Sequence, residues 1–163
     1  MASAAMANAE MADAATTAPT DRKVSWMGTE YKITVGESDS GGAIGVFEGT
    51  VPAGDGPPLH IHHNEDEVIH VIEGDYEFWL DGKILRGGPG SSVFLPRGVP
   101  HTFRVVGDKP GRNLAILTPG GFEGFFIAAA ARNLRIPDHM AEVVQLAQSY
   151  GLEFIGPAPW PAA

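Results

Sequence analysis

His60 and His62 stand two residues apart, and Glu67 follows at the head of the next apolar run. On a strand, residues two apart project to the same face, so both imidazoles share one side while Ile61 and His63 share the other. Far downstream, Pro96-Arg97-Gly98-Val99-Pro100 leads into His101 at the start of another apolar run. Three neutral imidazoles and one carboxylate, if they converge, suit a divalent first-row metal. They leave one or two positions open for water, dioxygen or substrate. Each residue alone has a plainer reading. A single His-x-His is commonly a surface or hydrogen-bonded pair. Glu67 shares an acidic run with Glu65 and Asp66 that reads as a solvated loop, and His101 can be a satisfied histidine at a strand end.

The elements that must position these residues are short. Apolar or alternating runs occupy Val24–Met27, Tyr31–Val35, Ile44–Val51, Leu59–His63, Val68–Glu73, Glu77–Leu80, Lys83–Arg86, Ser92–Leu95, His101–Val106 and Asn113–Leu117. Turn clusters such as Ser38–Gly42, Gly54–Pro58 and Gly87–Gly90 separate them. Asp81-Gly82 between two such runs predicts a type I′ hairpin, because glycine tolerates the positive φ that the turn demands. Many short strands at this spacing predict a sandwich, jelly roll or barrel. Strand parity then sorts the side chains. If Glu67 faces the interior, so do Ile69 and Val71 while His70 faces away, and an inward His101 brings Phe103 and Val105 inward with it. His63 and His70 are therefore poorer ligand candidates.

After Thr118 the pattern turns helical. Phe122–Asn133 carries Phe125, Phe126 and four consecutive alanines, and Asp138–Tyr150 spaces Met140, Val143, Val144 and Ala147 as a helix does. Gly151 sits where a helix ends in a left-handed residue, and His139 reads as structural or exposed. Gly156–Ala163 is Pro-rich and is expected to lie extended on the surface. Three segments result: a disordered Ala-rich tail over residues 1–20, a β-barrel over 21–118 and a helical segment over 119–163 packed on it. Met1, Met6 and Met11 each offer a start.

Composition excludes several classes. The chain has 163 residues, 44% of them hydrophobic and 19% charged, with 21 Gly and 13 Pro. That suits one globular domain rich in turns. Eleven Lys and Arg against twenty Asp and Glu give a net charge of −9. Such a surface repels nucleic acid and anionic membranes. The absence of cysteine removes disulfides, thiolate metal sites and cysteine nucleophiles. No run approaches the roughly 18 to 20 apolar residues of a membrane span. The acidic residues in the first twenty break any secretory pattern, so the chain is expected to be cytoplasmic.

Taken jointly, the residues resemble a known superfamily. Gly54-x5-His60-x-His62-x4-Glu67-x6-Gly74 matches the first cupin motif at every fixed position. Gly90-x5-Pro96-x-Gly98-x2-His101 matches the second, apart from a final Asn that is Val105 here. Fifteen residues separate Gly74 from Gly90, similar to the short spacing of small single-domain cupins. The resemblance covers roughly Ala43 to Leu117. It implies an all-β cupin double-stranded β-helix, a jelly-roll barrel, here followed by C-terminal α-helices. It also implies one divalent transition-metal ion (Fe, Mn, Ni, Co, Cu or Zn) held by His60, His62, Glu67 and His101.

Within the superfamily the chain looks like the small monocupins grouped with quercetinases, the flavonol-cleaving dioxygenases. That implies a dioxygenase acting on a small aromatic or enolisable substrate, with Glu67 doubling as general base. The alternatives are a non-oxidative metal-dependent isomerase, lyase or decarboxylase, and a cupin that only binds a small molecule. Ile69, Phe103, Val105, Phe122 and Phe125 are the candidate pocket wall. Phe122 and Phe125 are expected either to anchor the helix or to close the barrel mouth. Small cupins often dimerise through their sheets, so a homodimer through Val24–Val35 is expected, which would cover an exposed edge.

Overall fold

The computed structural model describes residues 22–157 and 159–160; the tail expected over residues 1–20 lies outside them. Eleven strands form two antiparallel sheets. β1 (Lys23–Trp26), β2 (Thr29–Val35), β3 (Gly45–Val51), β5 (Asp66–Glu73), β8 (Ser92–Leu95) and β10 (Gly111–Thr118) form the larger sheet. Its order is β1-β2-β3-β10-β5-β8. The second sheet runs β11-β4-β9-β6-β7. Its strands are β4 (Leu59–His62), β6 (Asp75–Leu80), β7 (Lys83–Gly87), β9 (His101–Val106) and β11 (Leu152–Gly156). The interleaving of chain order between sheets is a jelly-roll arrangement.

Alternation dictates which face each strand buries. In β5, Glu67, Ile69 and Val71 are buried, while Val68 and His70 are only half-buried. In β10, Asn113, Ala115 and Leu117 face inward. Registers align large beside small side chains: Phe47, Ala115 and Ile69 form one row across β3, β10 and β5. Two apolar clusters result. One, with Val71, Tyr76, Phe78, Leu95 and Val105, fills one region between the sheets. The other, with Trp26, Phe47, Leu117 and Phe125, continues into the helices.

The turns follow their chemistry. Asp81 and Gly82 take φ of 45° and 84° between β6 and β7, the two positive values a type I′ turn needs. Gly56 has a different reason: a Cβ there would lie 1.9 Å from the Phe103 carbonyl oxygen, so only glycine fits the approach.

Three helices complete the described chain. The turn expected at Ser38–Gly42 includes one turn of helix, α1 (Glu37–Ser40). The Asp39 carboxylate accepts the Gly36 N–H at 2.7 Å and draws that turn closed. α2 (Glu123–Ala131) begins with a buried carboxylate. Glu123 accepts from the Glu37 N–H at 2.6 Å and the Gly121 N–H at 3.1 Å, pinning α1 to the approach of α2. α3 (Met140–Ser149) buries Val143, Leu146 and Ala147 at helical spacing. Gly151, at φ 67°, then reverses the chain into β11. No helix among the described residues is long and apolar enough to cross a membrane.

β11 corrects the sequence reading, which recognised no strand after Leu117. Leu152–Gly156 pairs antiparallel with β4, placing Leu152 opposite His62 and Phe154 opposite His60. The run is short and stops at a proline-rich end, so its own pattern is weak. Its reason is tertiary: it covers the edge of the strand carrying two of the histidines.

Candidate metal centre

β4 and β9 are adjacent, and their paired residues are His60 and His101. That single register brings the two distant motifs side by side. His62 lies on the same face as His60, and Glu67 reaches in from the other sheet. The four side chains are buried, and one donor atom from each lies within 4.8 Å of all the others. The ring centroids of His60 and His101 are 4.5 Å apart, and those of His60 and His62 are 5.1 Å apart.

Hydrogen bonds fix the tautomers of two of these histidines. His60 Nδ1 lies 2.8 Å from the Pro58 carbonyl oxygen, and His101 Nδ1 lies 2.9 Å from that of Val99. A carbonyl only accepts, so each Nδ1 carries the proton and each Nε2 presents its lone pair. The Glu67 carboxylate oxygen stands 3.3 Å from His101 Nε2 and 3.8 Å from His62 Nε2. His101 Nε2 is buried without a hydrogen-bond partner. A buried imidazole nitrogen left unpaired beside a carboxylate and two further imidazoles is a donor set a divalent transition metal satisfies.

The electrostatics agree. Burial holds His60 well below the ordinary histidine range, helped by the neighbouring His101 and His62 and opposed by the Pro58 carbonyl. It is therefore a neutral imidazole, the form that ligates. Burial alone would raise the Glu67 carboxyl. The neighbouring His101 and His62 side chains outweigh it, so the carboxyl lies below its ordinary range.

The cluster opens into a cavity of about 390 Å³. Its wall is largely aromatic, with Trp26, Tyr31, Phe47, Phe103, Phe122, Phe125, Phe126 and Phe154 around the four residues of the cluster. Of the five residues expected at a pocket wall, Phe103, Phe122 and Phe125 line this cavity. Ile69 and Val105 do not line it: both belong to the apolar cluster beside the site, because the inward face of each strand continues past the cavity into the core. Phe122 sets its ring at 80° to His62, centroids 4.3 Å apart. Phe125 is 1% exposed and meets Trp26 edge-on at 5.2 Å, an anchoring contact.

The remaining histidines lie elsewhere. His63 is exposed and pairs with Glu153 at 2.7 Å. His70 points outward to Ser92, and His139 accepts the Arg135 N–H at 3.1 Å. Several wall residues had no local signal in the sequence. Tyr31, stacked on Phe126 at 3.8 Å between centroids, reaches the cavity from β2. Burial pushes its hydroxyl above the ordinary tyrosine range; Thr29 opposes the shift, and the carboxylates of Asp55 and Glu67 add to it. Glu65, read as part of a solvated loop, is 5% exposed and sits beside His62.

Residues 47–117 match the cupin domain family. Over 96 residues the chain is 27% identical to quercetin 2,3-dioxygenase of Bacillus subtilis, covering 59% of this chain and 28% of that protein. Over 74 residues it is 39% identical to dimethylsulfoniopropionate lyase DddQ of Ruegeria pomeroyi, covering 45% of this chain and 34% of that protein. The chain thus spans about a third or less of the length of both relatives. Among solved structures, an RmlC-like cupin from Shewanella frigidimarina superposes with TM-score 0.55 at 18% identity, covering 64% of this chain and 89% of that one. A protein from Thermotoga maritima described as a predicted oxalate decarboxylase gives 0.54 at 21%, covering 56% and 80%. At these identities the two structures support the fold alone.

Proposed function

We propose that this chain, which belongs to the cupin superfamily, is a metal-dependent dioxygenase acting on a small aromatic or enolisable substrate. One observation carries the reading: three imidazoles and a carboxylate converge, buried, at an aromatic cavity of about 390 Å³. His60, His62, Glu67 and His101 would hold one divalent transition-metal ion. Such an ion supplies a Lewis-acidic centre and, if redox-active, a partner for dioxygen.

The chain's own residues do the rest. The aromatic wall favours a planar ligand and excludes water, which strengthens electrostatic interactions within the site. Glu67 takes the substrate's hydroxyl proton onto a carboxylate oxygen, raising electron density on the substrate. The likeness to quercetin 2,3-dioxygenase supports the oxidative chemistry. The likeness to a lyase, at 39% identity, is the ground for a second, non-oxidative reading with the same ligands. A homodimer through β1 and β2 belongs to the same proposal, since β1 is an outer strand of its sheet. Sedimentation as a dimer at micromolar concentration checks it.

The test of the metal reading is elemental analysis of protein purified without chelator, with His101→Ala beside it. About one equivalent of Fe, Mn, Co, Ni or Cu, lost in the variant, is expected; no metal in either protein, even after reconstitution, overturns it. Oxygen uptake with flavonols and other enolisable aromatics then tests the dioxygenase. Turnover that persists under strict anaerobiosis transfers the assignment to the lyase reading. Glu67→Gln is expected to retain some metal and slow turnover greatly; an unchanged rate removes the base role.

A further inference from the structure

We propose that Glu65 is a positioning residue for the metal site, holding the His62 ring by Nδ1 so that its Nε2 lone pair points at the other ligands. The inference rests on the reading of the cluster as a metal site. His60 and His101 are each oriented by the backbone carbonyl two residues before them, Pro58 and Val99. His62 has no such carbonyl partner. Its Nδ1 faces the Glu65 carboxylate at 3.3 Å, with the two side chains 2% and 6% exposed. Neither the His62 Nδ1 nor that Glu65 oxygen has another hydrogen-bond partner.

Two buried, unpaired polar atoms facing one another are costly unless they serve each other. Ligation through Nε2 leaves the ring proton on Nδ1. The contact then becomes a charge-assisted hydrogen bond once the ring or carboxylate turns slightly. The arrangement makes His62 the one imidazole of the three backed by a carboxylate. A carboxylate raises the basicity of the ring it holds, which a carbonyl does less strongly. The chain can afford no loop slack here either: Asp66, the next residue, is tied to Arg97 at 2.8 Å, which fixes where Glu65 stands.

The test is a cobalt(II) titration of the full chain after chelation, followed by visible absorption and by competition with a chelator of known affinity. Glu65→Ala is expected to weaken cobalt binding about 10- to 100-fold and to alter the cobalt absorption bands. Glu65→Gln, whose amide oxygen can still accept from Nδ1–H, is expected to recover part of the loss. Glu153→Gln, which removes a carboxylate from the exposed His63 instead, should bind as the wild type does. Cobalt affinity and bands in Glu65→Ala within about twofold of the wild type overturn the proposal. If Glu65→Ala does not fold, Glu65→Gln decides: wild-type affinity overturns the proposal, and weakened affinity with an intact melting curve supports it. Wild-type protein that takes up no cobalt fails the metal reading itself, and this inference falls with it.

Discussion

Arg97 grips Asp66 twice: its backbone N–H donates to one carboxylate oxygen at 2.9 Å and its Nη2 to the other at 2.8 Å. The same guanidinium donates to the Thr118 carbonyl at 3.2 Å. Asp66 immediately precedes Glu67, and Arg97 lies in the corner that aims His101. The pair therefore couples Glu67 of one sheet to His101 of the other. The Arg97 side chain, then its N–H, holds the Asp66 carboxyl below its ordinary range.

Asp66→Ala should leave all four ligands in place but loosen their spacing. The expected loss of metal affinity is under about tenfold, smaller than for a residue that bonds a ligand directly. Chelator competition measures it. A loss as large as that of His101→Ala would mean the pair does more than set distance.

Phe125 and Phe122 should separate anchor from wall. Phe125→Ala empties a fully packed site against Trp26 and is expected to cost about 3–5 kcal/mol in urea unfolding. Phe122→Leu keeps most of the volume, and its stability cost is expected below about 1.5 kcal/mol. Its effect should fall on substrate affinity, because the ring it removes packs against His62. Full stability in Phe125→Ala would contradict the anchoring role.

Gly56→Ala should be disproportionately harmful for one methyl group. The added Cβ would lie 1.9 Å from the Phe103 carbonyl oxygen, so backbone must move. A cost of about 3 kcal/mol is expected, at the upper end for overpacking. Because Pro57 and Pro58 lead straight into His60, metal affinity should fall with it. Thermal melting and cobalt titration together check this.

Alkaline pH should destabilise the chain through Tyr76. Burial pushes its hydroxyl up to about 12, opposed by the Asn113 hydrogen bond, from 10.0 in an exposed tyrosine. The folded value lies above the unfolded one, so this contribution is complete below pH 10 and is lost as pH rises toward 12. Between pH 10 and 11 the expected loss is about 1 kcal/mol, since the unfolded chain ionises first. Urea midpoints across that range measure it, and Tyr76→Phe should remove most of the dependence. An identical loss in the variant would assign it elsewhere.

The residues of the buried His/Glu cluster were legible because their information is local. A two-residue period puts His60 and His62 on one face, and Gly74 and Gly98 mark turns that delimit Glu67 and aim His101. The ten strands through Leu117 were legible for the same reason, from alternation bounded by Gly, Pro and Asp. Tertiary structure alone decided what lies between distant elements. The pairing of His60 with His101 is a register across two strands some forty residues apart in the chain. β11 exists because the β4 edge needs covering, and Tyr31 reaches the cavity only because β2 crosses it. Glu65 looked like one more solvated acid, and its burial beside His62 is set by how β4 and β5 meet. Chain spacing determines which way a side chain points, whereas packing determines what it meets there.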